Sequence, residues 1–281
     1  MDILTELTSF DRKIERRSQR KSSMSDEIII VYNTPHKPQM ERLKAWLDEN
    51  ITQYKFKMST QLFLWWKIKR SNPACVIVYN KNLMGRLNVK AIKKYCAQGG
   101  KVITLHHNVS SMMLRRPEWL DFVQVYIKRG DDAEYPWSVI EGGDLYLTNL
   151  QPNSEITTEG IEYDAEVPEL NLREDPSKMV LTHELKGEAK TEYQERKKEP
   201  AIEFKKSEYF INHVPLPNPQ RTLLFGVYFK DPESGRMFIS NNGGWKMPYK
   251  KGMIYYFMPG HAIHDYHQQY CSIIKNCILD E

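Results

Sequence analysis

Glu27-Ile28-Ile29-Ile30-Val31-Tyr32 is an almost unbroken run of β-branched residues. A strand with one wet face alternates apolar and polar side chains. A strand covered on both faces does not, and it reads as a continuous apolar segment, the signature of a central parallel strand. Ala74–Tyr79 and Lys101–Leu105 read the same way, and Lys55–Met58 is a weaker fourth strand. Helical spacing fills the gaps: Met40, Leu43, Trp46 and Leu47; then Leu62–Ile68; then Val89, Ile92, Tyr95 and Cys96. Asn88 is placed to N-cap the third helix, and Gly99-Gly100 marks its end. Strands alternating with helices over short connections imply βαβ units. The expected class is therefore α/β, with a mostly parallel sheet flanked by helices.

Beyond Asn108 the pattern loosens. A strand is expected over Asp144–Leu150. Residues 151–206 are polar, with eight acids against one arginine between Glu155 and Asp175. That stretch reads as a long surface excursion carrying short strands, not as a separate domain. Strands return at Thr222–Phe229, Arg236–Ser240 and Met253–Met258, and a last helix covers about His267–Leu279. Asn242-Gly243-Gly244 reads as a turn beside Trp245. At the other end, residues 1–26 stand apart: Arg12–Lys21 holds six basic residues and one acid. No apolar segment follows, so this is not a secretory signal. The segment is read as a basic extension ahead of a single domain spanning 27–281. A less favoured reading makes Ile3, Leu4, Leu7, Phe10 and Ile14 the apolar face of a surface-binding helix.

Composition narrows the function. The 281 residues are 41% hydrophobic and 27% charged with a formal charge of +4, which suits a globular protein and does not imply nucleic-acid binding. No apolar stretch approaches the roughly 20 residues a membrane-spanning helix needs. Four cysteines without a CxxC pair are too sparse for a disulfide scaffold and point to a cytoplasmic setting. There is no G-x-S-x-G elbow, no P-loop and no G-x-G-x-x-G. Trp65-Trp66 reads as core with partial exposure, with a sugar-stacking surface as the weaker alternative. Assembly stays open, a symmetric homodimer being the commonest form among soluble oligomers.

Open α/β sheets bind ligands beyond the carboxyl ends of their strands. Four of the eight histidines fall there: His36 after the first strand, His106 and His107 after Lys101–Leu105, and His261 after Met253–Met258. Imidazole suits proton transfer near neutral pH and zinc ligation. Glu208 is the candidate partner carboxylate. Each residue alone has a plain structural reading, as a loop histidine, a backbone hydrogen-bonder or a salt-bridge carboxylate; their shared rim is the signal. His261, His264 and His267 have helical spacing, but Pro259-Gly260 puts His261 in a loop, so they do not form one helical face.

These segments resemble a known family. Gly99-Gly100-Lys101-Val102-Ile103-Thr104-Leu105-His106-His107 and Lys251–His261, ending Pro259-Gly260-His261, are similar to two elements of the ThuA-like, or trehalose-utilisation, family. Pro152–Thr157 and Ser207-Glu208-Tyr209 resemble two more. Ser154, Glu155 and Ser207 depart from the family's usual His, Pro and Asp. The resemblance implies a flavodoxin-like, class I glutamine amidotransferase-like fold and a link to trehalose or keto-sugar metabolism. The glutaminase cysteine is missing, because His106-His107 occupies its turn; a glutaminase is thereby excluded.

The leading expectation is a sugar-processing protein, hydrolase or isomerase-like if it is an enzyme. His106, His261 and Glu208 are the expected acid/base groups or ligands of one divalent metal such as zinc. His36, His107 and Trp245 are the expected substrate contacts. The alternative is a non-catalytic sugar-binding or small-ligand module using the same pocket. A third reading, an interaction protein using Arg12–Lys21, is weaker.

Overall fold

The computed structural model describes residues 24–127, 137–168, 179–181, 199–211 and 213–280. The basic segment Arg12–Lys21 lies outside them. The apolar runs become strands β1 (Glu27–Tyr32), β3 (Cys75–Tyr79) and β4 (Lys101–Leu105). All five residues of β3 are buried, as a strand covered on both faces requires. β2 (Lys55–Thr60) alternates, with Lys55 and Lys57 outward, and it forms the sheet edge. Exposed lysines on an edge discourage pairing with another chain.

Helix α1 (Lys37–Asn50) buries Met40, Leu43 and Leu47, α2 (Leu64–Ser71) buries Leu64 and Ile68, and α3 (Arg86–Ala97) buries Val89, Ile92 and Cys96. Full burial of each such side chain contributes roughly 1.5–3 kcal/mol before entropy is counted. The third helix starts two residues before Asn88, after Gly85. Asn88 is not the N-cap of its own helix: its Oδ1 accepts from Trp65 N in the first turn of α2 and its Nδ2 donates to Gln61 O, so the amide ties α3 to the start of α2. Gly99 and Gly100 N–H bond back to Cys96 O and Tyr95 O, and there the helix ends.

The remaining elements are α4 (Pro117–Val123), β5 (Val125–Ile127), β6 (Ser138–Asn149), α5 (Glu155–Thr158), β7 (Ala165–Glu166), β8 (Met179–Leu181), β9 (Pro200–Ile211), β10 (His213–Pro215), β11 (Thr222–Lys230), β12 (Met237–Tyr249), β13 (Gly252–Phe257) and α6 (Gln268–Leu279). The main sheet runs β2-β1-β3-β4-β13-β12-β11-β6-β9-β7, with β8 paired to β12; β5 and β10 form a separate pair. The first five strands of that order are mutually parallel. From β13 onward through β12, β11, β6, β9 and β7 every neighbour on this path is antiparallel. The sheet is thus mixed, which corrects the expectation of a mostly parallel one. Helical crossovers join the parallel strands, whereas tight turns join β11 to β12 and β12 to β13, and a tight turn reverses direction.

Two further readings change. Asn242-Gly243-Gly244 is not a turn but lies inside the long strand β12. The supposed 151–206 excursion is partly integrated: Ile156 and Thr157 are buried, Asn276 of α6 donates to the carbonyls of Glu155 and Glu159, and Pro200–Lys206 lies in β9.

The ribbon β6–β9 departs from a regular sheet. Its register shifts at Gly143, beside Gly142 at φ +79° and Lys206 at φ +50°. A bulge of this kind bends a strand pair and re-aims its side chains. Beyond the bend, Ser207–Ile211 lies against the exits of β4 and β13 instead of extending the sheet flat: Glu208 reaches His106 and His261, and Phe210 reaches the His106 ring.

Candidate functional site

β4 ends in a sharp turn. His106, its first residue, sits at φ +44°, a left-handed conformation that non-glycine residues adopt at a cost of roughly 1 kcal/mol. Such strain gathers at functional sites. The turn buries the side chains of both histidines: His106 is 0% exposed and His107 2%.

His106 Nδ1 lies 2.5 Å from Met258 O, at the exit of β13. A carbonyl only accepts, so Nδ1 carries the proton. Nε2 lies 2.8 Å from Glu208 Oε2. A neutral ring would therefore aim a lone pair at a carboxylate, a contact that needs a proton or a cation between them. A histidine whose outer N–H is held by a backbone carbonyl is also the usual arrangement of a metal ligand. On the other side, His261 Nδ1 lies 3.0 Å from the same Oε2. That N–H is not well aligned, and the contact is an ion pair more than a directed hydrogen bond.

The bent ribbon supplies Glu208, which is 2% exposed. Successive strand residues point to opposite faces. Tyr209 accordingly packs on Phe229, with ring centroids 5.2 Å apart, while Phe210 stacks on His106 at 4.5 Å. Ser207 Oγ donates to Asp265 Oδ2 at 3.1 Å, and that oxygen also accepts from Ala262 N at 2.9 Å. Asp265 thereby ties the ribbon to the loop carrying His261.

His36, at the end of a short 3-10 turn after β1, completes the group: its ring lies 4.7 Å from that of His107 and 6.2 Å from that of His261. Gln39 Nε2 donates to His261 O at 2.9 Å and stands 3.3 Å from His36 Nδ1. His36 and His261 are half-buried, so the hollow meets solvent on their side.

Electrostatics separate these groups. Burial pushes the Glu208 carboxyl up, but its close contacts with His106 and His261 outweigh it and hold it below the usual carboxylate range. The Glu208 contact raises His261 against the effect of burial. Burial, with the Lys81 ammonium and the neighbouring histidines, pushes His36 down to about 4. Burial and His106 also push His107 down.

Five of the six expected site residues therefore meet: His36, His106, His107, Glu208 and His261. Trp245 does not. It is 0% exposed, its ring lies 4.2 Å from that of Tyr256, and the Arg221 guanidinium covers it at 5.4 Å. Placing the preceding glycines in a strand turns this residue into the core, so a substrate contact for it is withdrawn. Nor do the three C-terminal histidines combine. His264 bonds Lys205 O, and His267 stands before α6 beside Gln269.

Tyr79 was not foreseen. It is the last residue of β3, its ring packs edge-on to His36 and His107 at 5.5 Å, and its Oη is buried without a hydrogen-bond partner. A tyrosine closing an apolar strand looks like core in the sequence; its place at the same rim was the available signal.

The donor set can be tested for a metal. One donor atom each from His106, His107, Glu208 and His261 lies within 4.8 Å of the others. His107 Nε2 is buried and lacks a partner. Three imidazoles and a carboxylate suit zinc or a similar ion, so the residues fit.

No protein-family model and no curated protein matches the chain. Solved structures do. A ThuA-like protein from Bacteroides uniformis ATCC 8492 aligns over 91% of this chain and 91% of its own, with a TM-score of 0.53 and 13% identity. A beta-galactosidase from Rahnella sp. R3 aligns over 90% of this chain but 31% of its own, at TM-score 0.45 and 8% identity. A GMP synthase protein from Thermoplasma acidophilum aligns over 91% and 93%, at TM-score 0.42 and 12% identity. The chain shares the fold of the ThuA-like protein, and at this identity the likeness concerns the fold.

Proposed function

We propose that this chain is a ThuA-like, sugar-processing protein in which His106, His107, Glu208 and His261 hold one divalent cation, zinc or a similar ion. The observation that carries the reading is the His106 ring, with Nδ1 committed to Met258 O and Nε2 facing Glu208 Oε2 at 2.8 Å. That arrangement leaves a lone pair and a carboxylate converging on one point. A bound cation would supply Lewis-acid polarisation of a substrate oxygen. The chain's own groups would do the rest. Glu208 fixes His106 and His261 relative to each other, while Phe210 excludes water from the inner side. His36, oriented by Gln39, stands at the mouth, where it can exchange a proton with a sugar hydroxyl. Held unprotonated at neutral pH, His36 suits removal of a proton from a substrate oxygen, as a glycosidic or keto-sugar substrate requires.

Equilibrium dialysis against zinc, followed by metal analysis, tests this. Wild-type protein should retain one ion per chain. His106→Ala and Glu208→Ala should each weaken retention by about tenfold to a hundredfold. If both variants bind like the wild type, the assignment is wrong. If neither they nor the wild type bind, the hollow works as a histidine–carboxylate proton relay or as a binding pocket without metal.

A further inference from the structure

Helices α2 and α3 lie side by side, tied by the two hydrogen bonds of Asn88. Around their starts sits an apolar patch that the core does not use. Leu62 is 65% exposed, Leu87 63% and Phe63 60%, and Trp65 and Trp66 are exposed as well. Leu62, Phe63, Trp65 and Leu87 line one cleft mouth, and Trp66 adjoins Trp65, so the patch is continuous. Single exposed apolar residues are ordinary, whereas a continuous cluster of them marks a contact surface. Phe63 adds a second sign. Its φ is +54°, a left-handed backbone that a phenylalanine adopts only at a cost, and that strain sets a ring into solvent.

The charge around the patch has one sign. From Ile51 to Pro117 the chain has thirteen Lys and Arg and no Asp or Glu, although it holds 36 acids in all. Lys55 and Lys57 meet Asp26 and Glu27 at the sheet edge, and Lys67 donates to Ser59. Lys69 and Arg70 on α2, with Arg86, Lys90 and Lys94 on α3, are exposed. The Arg70 guanidinium stands 5.0 Å from the centre of the Trp66 ring, so a cation and an indole share one spot on this surface.

The place where the chain enters the described structure adds to this charge. Ser25 N donates to Asn72 O, at the end of α2. The sequence just upstream carries the six basic residues of Arg12–Lys21. A helix of eight residues is about 12 Å long, so that segment joins the chain within reach of the patch.

Three kinds of partner could cover such a face. A symmetric dimer would set its cations against themselves. A nucleic acid would use the cations and the rings but leave Leu62 and Leu87, the most exposed members, without a role. A bilayer containing anionic lipid uses all of them: leucine and phenylalanine enter the acyl boundary, indoles sit among the headgroups, and Lys and Arg meet the phosphates. We propose that the face built from the starts of α2 and α3 docks on an anionic membrane surface. The contact is interfacial, and it does not depend on what the histidine hollow does.

The test is sedimentation of the full chain with vesicles of pure phosphatidylcholine or of phosphatidylcholine with about 30% phosphatidylserine. The chain should partition onto the anionic vesicles at least about tenfold more strongly, and less so as salt rises. Phe63→Gly with Leu87→Gln should weaken that partitioning about tenfold, and Lys69→Glu with Lys90→Glu should do the same. Glycine suits the left-handed backbone at position 63 and residue 87 is exposed, so the urea midpoint should stay near that of the wild type. No preference for anionic vesicles overturns the proposal. So does partitioning that survives both patch variants and is lost in Arg16→Glu with Arg17→Glu, which would place the contact on the N-terminal segment. Patch-dependent binding of single-stranded RNA, or a patch-dependent dimer, without vesicle binding would put another occupant on this face and overturn it too.

Discussion

The parallel half of the sheet and the antiparallel half contribute differently to the site. The parallel strands β1, β4 and β13 set His36, His106, His107 and His261 on loops at their ends, as open α/β sheets do by topology. The antiparallel half contributes through a defect in its regularity. Glu208 reaches the histidines because β6 and β9 lose register at Gly143 and turn. One half offers a site by its plan, and the other completes it by an exception.

Three substitutions or conditions would break or sharpen this contrast. The largest effect belongs to the parallel core. Ile103, 0% exposed in β4, cannot be shortened without a cavity. Ile103→Ala should cost about 2–5 kcal/mol in urea denaturation, and the molecules that remain folded should still retain zinc. A smaller thermodynamic effect with a larger functional one is expected at the bend. A Cβ at Gly143 would collide with the Lys230 carbonyl oxygen and the Phe229 ring. Gly143→Ala should lose about 1–3 kcal/mol and, by displacing the ribbon, most of the zinc affinity. Equal zinc affinity in folded Ile103→Ala and Gly143→Ala would show that the bend does not set the position of Glu208.

The smallest effect is a pH dependence, read in metal-free buffer. His36 and His107 are held below the ordinary histidine range in the folded protein. As pH falls through about 6.5 the unfolded chain takes up protons that the folded chain refuses, so stability declines between pH 6.5 and about 4. The shifted Glu208 acts lower, since its contribution is present above the unfolded carboxylate range and is lost as pH falls through its own depressed value. His261 works the other way: its raised value stabilises below about 6.5, and that part is lost as pH rises through the folded value. His36→Gln should flatten the decline between pH 6.5 and 4 in chemical denaturation scans. An unchanged slope would mean that His36 is not held neutral.

The same contrast explains what the amino-acid sequence could reveal. Ile28–Val31 and Val76–Tyr79 announce themselves because a strand covered on both faces has no polar positions. The histidines were legible because topology fixes where strand exits lie. The start of β12 was read as a strand, but its continuation past Ser240 was not, because Asn241-Asn242-Gly243-Gly244 has the composition of a turn. Its glycines answer a packing need instead: a Cβ at Gly244 would meet the Phe257 ring at 2.6 Å, and one at Gly243 would meet Leu147 at 2.6 Å. Trp245 was misplaced with them. Glu208 could be singled out by its family-like neighbours, but its route to His106 could not, since a bulge depends on a partner strand far away in the chain. Tyr79 and Asp265 were hidden for a related reason. An apolar context masks a hydroxyl, and the acceptor role of Asp265 exists only once Ser207 has arrived.

The site draws on residues spread along the chain, and their order of synthesis has a consequence. A chain leaving the ribosome presents His36, His106 and His107 first, lacks the acid until the ribbon has emerged, and lacks His261 until β13 has followed. Until then the exits of β1 and β4 hold imidazoles without their counter-charge. The hollow can close only as a final event, and it closes together with the sheet, because β13, which carries His261, is also the strand that joins β4 to β12.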